Sequence, residues 1–87
     1  MRTSQADHHK DELFVRKLVE RLVEERTQQS VTLRQIGQAI GYDFSYLSKA
    51  ERGLTQPGLI TLLKWFRALG LDFVDISIEI REALSKD

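Results

Sequence analysis

The sequence predicts a compact all-α domain of five helices, and three observations support this fold class. Apolar residues recur every three or four positions along most of the chain, which is the spacing of one helix face. Three predicted helices are followed by a glycine, at Gly41, Gly53 and Gly70, where helices commonly end. The predicted connections span roughly two to five residues, so that neighbouring helices can pack around one core.

The chain has 87 residues, which corresponds to one domain, and it contains no cysteine. The lack of thiols excludes disulfides and thiolate metal sites as sources of stability. No apolar run approaches the roughly 20 residues that span a bilayer, and the first residues lack the apolar segment of a secretory signal. We therefore expect a cytoplasmic protein that does not associate with membranes.

Residues 1–9 are polar, and we interpret them as a flexible N-terminal tail that precedes a folded domain over residues 10–87. The adjacent His8 and His9 lie in this tail. Two histidines without further ligands are a weak metal signature, so we expect a solvated terminus and no metal site.

Residues 11–26 are predicted to form the first helix. Its apolar face combines two series with a spacing of four residues, which are Phe14, Leu18 and Leu22, and Val15, Val19 and Val23. Charged residues occupy the opposite side, where Arg16 and Glu20 lie one helical turn apart.

The next two helices are predicted from their capping residues. Thr32 and Gln35 fit a capping box at the start of the second helix, and Gly41 fits its left-handed end. Asp43 is a favourable N-cap for a third helix over residues 44–51. The residues expected to face inward are Leu33, Ile36, Ala39 and Ile40 in the second helix and Leu47 and Ala50 in the third.

A fourth helix is predicted between Pro57 and Gly70, which favour a helix start and a helix end respectively. Its apolar stripe consists of Leu59, Leu62, Leu63, Phe66 and Leu69. Trp65 on this helix is expected to pack in the core, with a contact to a second copy or to a partner protein as the alternative.

The last segment, residues 72–86, fits two periodicities. The residues that alternate as in a strand are Val74, Ile76, Ile78 and Ile80. The residues that fit a helix capped by Asp72 are Phe73, Ile76, Ile80 and Leu84. We favour the helix, because the stretch REALSK is rich in helix-forming residues and a lone edge strand would need a partner.

Residues 32–53 combine the features that a helix-turn-helix requires. Gly37 supplies a small residue where two helices cross closely, and Gly41 supplies a left-handed residue for the turn. This motif serves both DNA binding and protein contacts, so both functions remain open on these grounds.

Four stretches, TLRQIGQAIG, SYLSKAERG, PGLITLLKW and ALGL, lie between residues 18 and 76. In this arrangement the chain resembles the Cro and phage-repressor family of DNA-binding domains, also called the XRE family. The resemblance implies a lambda-repressor-like fold, binding to an operator in double-stranded DNA and usually a two-fold dimer. The length and the tyrosine within the third helix are also similar to the small controller proteins of restriction–modification systems.

The resemblance implies that the third helix enters the major groove with its N-terminal residues nearest the bases. The implied base contacts are Phe44, Ser45, Ser48 and Lys49. The implied phosphate contacts are Thr32, Arg34, Tyr46, Arg52, Thr55 and Gln56. The resemblance also aligns Arg26 and Glu51 with a buried ion pair that has a structural role.

The formal net charge of the chain is zero, which excludes a strongly basic domain as the source of DNA affinity. Residues 32–57 contain three cations, Arg34, Lys49 and Arg52, and two acids. We therefore expect DNA affinity to depend on these cations and on two helix N-termini that share one face.

We expect the last segment to form a homodimer. Phe73, Ile76 and Ile80 would complete the core, which leaves the residues of a dimer interface, namely Val74, Ile78 and Leu84.

Two departures from the family pattern keep a second function open. Leu33 and Phe44 stand where polar residues are common in the family, and an exposed pair of this kind would form an apolar patch. The alternative is a protein-interaction module, such as an antitoxin or a regulatory subunit, that binds a partner through Leu33, Phe44 and Trp65.

No enzymatic activity is expected, because the sequence shows no paired acid–base residues, no nucleophile near a histidine and no phosphate-binding glycine loop. We also expect neither a cofactor nor a small-molecule effector.

Overall fold

The computed structural model describes residues 5–86, with side chains from His9 onward. Over this range the fold is all-α, as predicted. Its five helices are α1 (Gln5–Gln28), α2 (Leu33–Ile40), α3 (Phe44–Glu51), α4 (Leu59–Ala68) and α5 (Phe73–Leu84). Helix α1 packs against α3 and α5, α2 packs against α3 and α4, and α4 also contacts α5.

Helix α1 is longer than the sequence predicted. It begins at Gln5, so residues 5–9 of the expected tail belong to the helix, and residues 1–4 lie outside the described part of the chain. The prediction depended on apolar spacing, which starts only at Phe14. The polar turns before Phe14 carry no such signal, although their backbone continues the helix.

The core contains buried residues from all five helices. Trp65 is fully buried at its centre and Phe66 beside it is 1% exposed, so Trp65 is a core residue and not a surface contact. The other buried apolar residues are Leu18, Val19, Leu22, Leu33, Ile36, Leu47, Ala50, Leu62, Leu69 and Ile76.

Two predicted side-chain orientations are wrong, those of Ala39 and Leu59, and for Leu33 the structure decides between two expectations. Leu33 is only 9% exposed, so it faces the core as its spacing indicates and adds little area to a surface patch with Phe44. Ala39 is exposed, because the buried face of α2 is centred on Leu33, Gly37 and Ile40 and a step of about 100° per residue places Ala39 beyond its edge. Leu59 is 61% exposed as the first residue of α4.

The last segment is a helix, as favoured, and not a strand. The Asp72 side chain accepts a hydrogen bond from the Asp75 backbone N–H at 3.0 Å, which caps α5. Phe73 packs edge-on against Phe66, with ring centroids 5.3 Å apart. Ile76 is buried, so α5 closes the core with one face.

The turn between α2 and α3 depends on two glycines. The Gly37 carbonyl accepts hydrogen bonds from the N–H groups of Gly41, at 2.8 Å, and Tyr42, at 3.0 Å. Gly41 has a φ of 79°, in the left-handed region that suits glycine. A Cβ on Gly37 would lie 2.6 Å from the Tyr42 carbonyl oxygen, so the helix and the turn touch backbone to backbone.

We expect Gly37→Ala to destabilise the domain. Alanine favours a helix over glycine by about 1 kcal/mol, but inserting a group into close-packed structure typically costs about 1–3 kcal/mol, and here the opposing atom is backbone. Because this backbone oxygen cannot rotate away as a side chain can, we expect a cost of about 2–3 kcal/mol and a net loss of about 1–2 kcal/mol, measured by urea denaturation followed by circular dichroism. Gly58→Ala is the control, because a Cβ at Gly58 meets nothing within 4 Å. Equal stability of Gly37→Ala and the wild type would contradict the close approach.

Candidate nucleic-acid interface

The start of α2 is held by a reciprocal cap. Thr32 Oγ1 accepts a hydrogen bond from the Gln35 N–H at 3.1 Å, and Gln35 Oε1 accepts one from the Thr32 N–H at 2.8 Å. The predicted capping box is therefore confirmed. The two capping residues, Thr32 and Gln35, are exposed, so the positive end of the α2 dipole faces solvent beside Thr32.

The start of α3 is held by Asp43. Its carboxylate accepts hydrogen bonds from the Ser45 hydroxyl and, at 3.0 Å, from the Ser45 N–H. These two bonds, the hydroxyl bond first, lower the pKa of Asp43 below its ordinary value. The cap is therefore charged at neutral pH and is lost only as the pH falls through that lowered pKa. Because the Ser45 hydroxyl donates its proton to Asp43, Ser45 can offer a base only its acceptor lone pairs.

Helix α3 presents one face to solvent. Leu47 and Ala50 are buried, whereas Phe44, Ser45 and Lys49 are exposed. Ser48 is half-buried on the same side. The four predicted base contacts therefore lie on one outward arc of the helix, opposite the core.

A cation covers the aromatic ring at the head of α3. The Arg34 guanidinium carbon lies 4.6 Å from the centroid of the Phe44 ring, which is within cation–π range. Phe44 is 39% exposed, whereas Leu33 and Trp65 are buried. The surface around Phe44 thus has a cationic neighbour and lacks the apolar patch that a protein-binding site through Leu33, Phe44 and Trp65 requires.

Tyr46 lies at the edge of the outward arc. It is half-buried and stacks on Tyr42 with ring centroids 5.7 Å apart, and the Lys64 ammonium group lies 5.8 Å from the Tyr42 centroid. The stacked pair fixes the Tyr46 ring where α2, α3 and α4 approach one another.

The loop after α3 carries the remaining predicted phosphate contacts. Arg52 and Gln56 are exposed, and Thr55 is half-buried. Helix α4 follows with Gly58 as its N-cap, and no side chain bonds to its first N–H groups. A second helix N-terminus is therefore available to an anion near this loop.

Arg26 and Glu51 form a two-pronged ion pair between α1 and the end of α3. Arg26 Nε lies 2.7 Å from Glu51 Oε2, and Arg26 Nη2 lies 3.0 Å from Glu51 Oε1. Arg26 Nη1 also donates to the Val31 carbonyl at 2.9 Å. The side chains are 20% and 11% exposed, so water screens the pair only weakly. One guanidinium thus ties α1 to the entry of α2 and the end of α3.

Arg16 makes a contact that sequence reasoning missed. Its Nη2 donates to the Glu51 carbonyl at 2.9 Å, so a second arginine of α1 holds the last residue of α3. The spacing to Glu20 indicates only the surface ion pair on α1, which has an N–O distance of 3.6 Å. No local signal points to a carbonyl 35 residues away.

Comparison with known proteins identifies one protein family that the chain matches. A family model described as helix-turn-helix matches residues 22–76, which is more than half of the chain. No curated protein and no solved structure matches the chain. Within the described residues, no helix combines the length and the apolar character needed to cross a membrane.

Arg26→Ala is expected to lower the free energy of unfolding by about 3 kcal/mol. This value is at the lower end for breaking a buried ion pair, because the Arg26 side chain remains partly exposed. Lys17→Ala is the control, since Lys17 pairs with Glu20 on the surface of the same helix and should lose at most about 1 kcal/mol. Thermal denaturation of both variants measures the difference, and similar small losses would contradict a structural role for the Arg26 pair.

Proposed function

Because the chain belongs to the Cro/repressor-like, XRE-type helix-turn-helix family of DNA-binding regulators, we propose that it represses transcription. It binds a near-palindromic operator as a homodimer, with α3 of each protomer in the major groove. The observation that carries this proposal is the outward arc of α3, whose side chains face away from the core with the Arg34 guanidinium over the ring of its first residue.

The base contacts in this proposal come from the outward arc. The Lys49 ammonium group can donate to guanine O6 and N7, and the Ser48 hydroxyl can donate or accept at several bases. Ser45 accepts only, because its proton is held by Asp43. The Phe44 ring offers apolar contact to a thymine methyl group.

The phosphate contacts frame this arc. In this proposal Thr32 and the α2 amides contact the backbone before α3, and Arg52, Thr55 and Gln56 contact it after α3, where the start of α4 has no side-chain cap. The Tyr46 hydroxyl adds a further donor. These groups supply positioning and not sequence readout.

The neutral net charge is compatible with this role. Three acids of α1 are paired on that helix, Glu20 with Arg16 and Lys17, and Glu24 and Glu25 with Arg21. In the described part of the chain, the three cations expected to meet DNA, which are Arg34, Lys49 and Arg52, form no ion pair within 4.0 Å. Local placement therefore supports an attractive face on a neutral protein.

The homodimer is proposed to form through α5. Val74 and Ile78 are 62% and 52% exposed, and Leu84 is half-buried. Val74 and Ile78 line a shallow surface groove together with Phe73 and with Phe14 of α1, so the apolar surface continues from α5 onto α1. A two-fold axis at this surface would place two recognition helices roughly 34 Å apart, which is one turn of DNA.

Repression needs only that the bound dimer blocks polymerase, and the proposal requires no cofactor and no small-molecule effector. Operator binding places the protein in the cytoplasm of its cell. A protein-interaction module is the weaker candidate, because two of its three expected contact residues, Leu33 and Trp65, are buried.

The first test is titration of labelled random duplex DNA by fluorescence anisotropy at 50 and 200 mM salt. Binding releases counterions, so affinity should fall as salt rises over this range. The loss should be roughly 12-fold if the protomer neutralises two phosphates and roughly 40-fold if it neutralises three. Absence of binding at low salt by a folded protein would reject the proposed function.

Arg52→Ala and Arg67→Ala form a matched pair for the same titration. Both arginines are exposed, but Arg67 lies in the last turn of α4, away from the proposed DNA face. We expect Arg52→Ala to reduce the slope of log affinity against log salt by about 0.9, and Arg67→Ala to leave it unchanged. Equal slopes for both variants would show that Arg52 does not contact phosphate.

Ile78→Asp is expected to convert the dimer into a monomer, because it places a charge in an apolar interface. Ile60→Asp is the control, since Ile60 is similarly exposed, at 62%, but lies on α4. Sedimentation velocity at micromolar concentration distinguishes the species. A wild-type monomer, or an Ile78→Asp dimer, would contradict the α5 interface.

A further inference from the structure

The stacked pair of Arg34 and Phe44 has a geometry that a simple phosphate contact does not require. Arg34 is the second residue of α2 and Phe44 is the first residue of α3. The guanidinium carbon nevertheless lies 4.6 Å from the ring centroid, so the Arg34 side chain reaches across to the head of the recognition helix. Both side chains are exposed, and the contact lies on the surface.

Two residues next to this pair in the sequence are less available to a base than Arg34 and Phe44 are. The Ser45 hydroxyl is occupied by Asp43, and Leu33, which precedes Arg34, is buried in the core. The Asp43 carboxylate is also close enough to Arg34 for a weak electrostatic attraction. The Phe44 ring and the Asp43 carboxylate therefore both attract the Arg34 guanidinium and hold it beside α3.

An arginine placed in this way has a specific chemical use. Its guanidinium can donate two parallel hydrogen bonds to the O6 and N7 atoms of guanine, and an aromatic edge can contact the 5-methyl group of thymine. A stacked arginine loses less side-chain freedom when it forms such a pair of bonds, because the ring already restricts it.

We propose that Arg34 and Phe44 act as one reading unit for adjacent bases, a guanine bound by Arg34 and a thymine contacted by Phe44. This inference rests on the proposed DNA-binding function and assigns Arg34 to base readout, where the family resemblance implies a phosphate contact. It also makes α2 a contributor to specificity as well as α3.

The test begins with an operator selected from random duplexes by the wild-type protein. Affinities are then measured for that operator and for two sets of variants. In one set a single conserved guanine is replaced in each duplex, and in the other a single thymine is replaced by uracil in each duplex. We expect Arg34→Ala to weaken the selected operator by about 5- to 150-fold and to remove the preference at one guanine. Arg34→Lys keeps the charge and can still donate to guanine but lacks the planar fork, so it should keep the salt slope and lose part of that preference.

The Phe44 half of the proposal is tested by the uracil substitution. Loss of one buried methyl contact should weaken wild-type binding by about fourfold at a thymine beside that guanine, and should have no effect on Phe44→Ala. Phe44→Leu keeps an apolar contact and removes the aromatic face, so it should retain the uracil effect and lose part of the guanine preference. Arg67→Ala is the control for all duplexes.

Three results would overturn the inference. Equal weakening of every duplex by Arg34→Ala, with a salt slope reduced by about 0.9, would show a phosphate contact and leave the proposed function intact. An unchanged guanine preference in Phe44→Leu and Phe44→Ala would show that the two residues act separately. Absence of DNA binding by the wild-type protein would reject the proposed function and this inference with it. Circular dichroism of each variant confirms that it is folded.

Discussion

The close approach of α2 to the turn before α3 is the constraint on which the rest of the structure depends. Gly37 has no side chain, so the Tyr42 carbonyl can lie where a Cβ would be, and the Gly37 carbonyl accepts two hydrogen bonds from the turn. This backbone contact sets the angle between α2 and α3. The angle in turn determines which side of α3 faces the core and which side faces solvent.

Helix α1 completes this arrangement from the opposite end of α3. Arg26 binds the Glu51 carboxylate and Arg16 binds the Glu51 carbonyl, so the last residue of α3 is fixed to α1. A helix of eight residues is only marginally stable by itself in water. Its orientation therefore comes from the turn at one end and from two arginines at the other.

Most features that could be predicted from sequence have a local signal, whereas the Arg26–Glu51 pair, 25 positions apart, was implied by the family resemblance. The cap formed by Thr32 and Gln35, the left-handed Gly41 and the cap at Asp43 each depend on residues within a few positions, and the structure contains all three. The helical form of residues 73–84 was also predicted, because helix-forming residues outweighed an alternating pattern that a strand partner would have had to support.

The features that could not be predicted depend on contacts between distant parts of the chain. Helical spacing placed Leu33 inward, whereas the family pattern suggested an exposed residue, and only the packing of α2 against the rest of the core decides that it is buried. The Arg16 contact to Glu51 and the stacking of Arg34 on Phe44 join residues that are 35 and ten positions apart. The contacts that shape the candidate DNA face are therefore of a kind that apolar spacing does not encode.

The most direct test of this account is an NMR titration of the ¹⁵N-labelled protein with a short random duplex at low salt. We expect backbone amide shifts to concentrate in residues 32–34, 44–49 and 52–56, with little change in the outer residues of α5. Shifts confined to α1 and α5, or no shifts at concentrations where the protein is folded, would contradict the assignment of DNA binding to the α2–α3 surface.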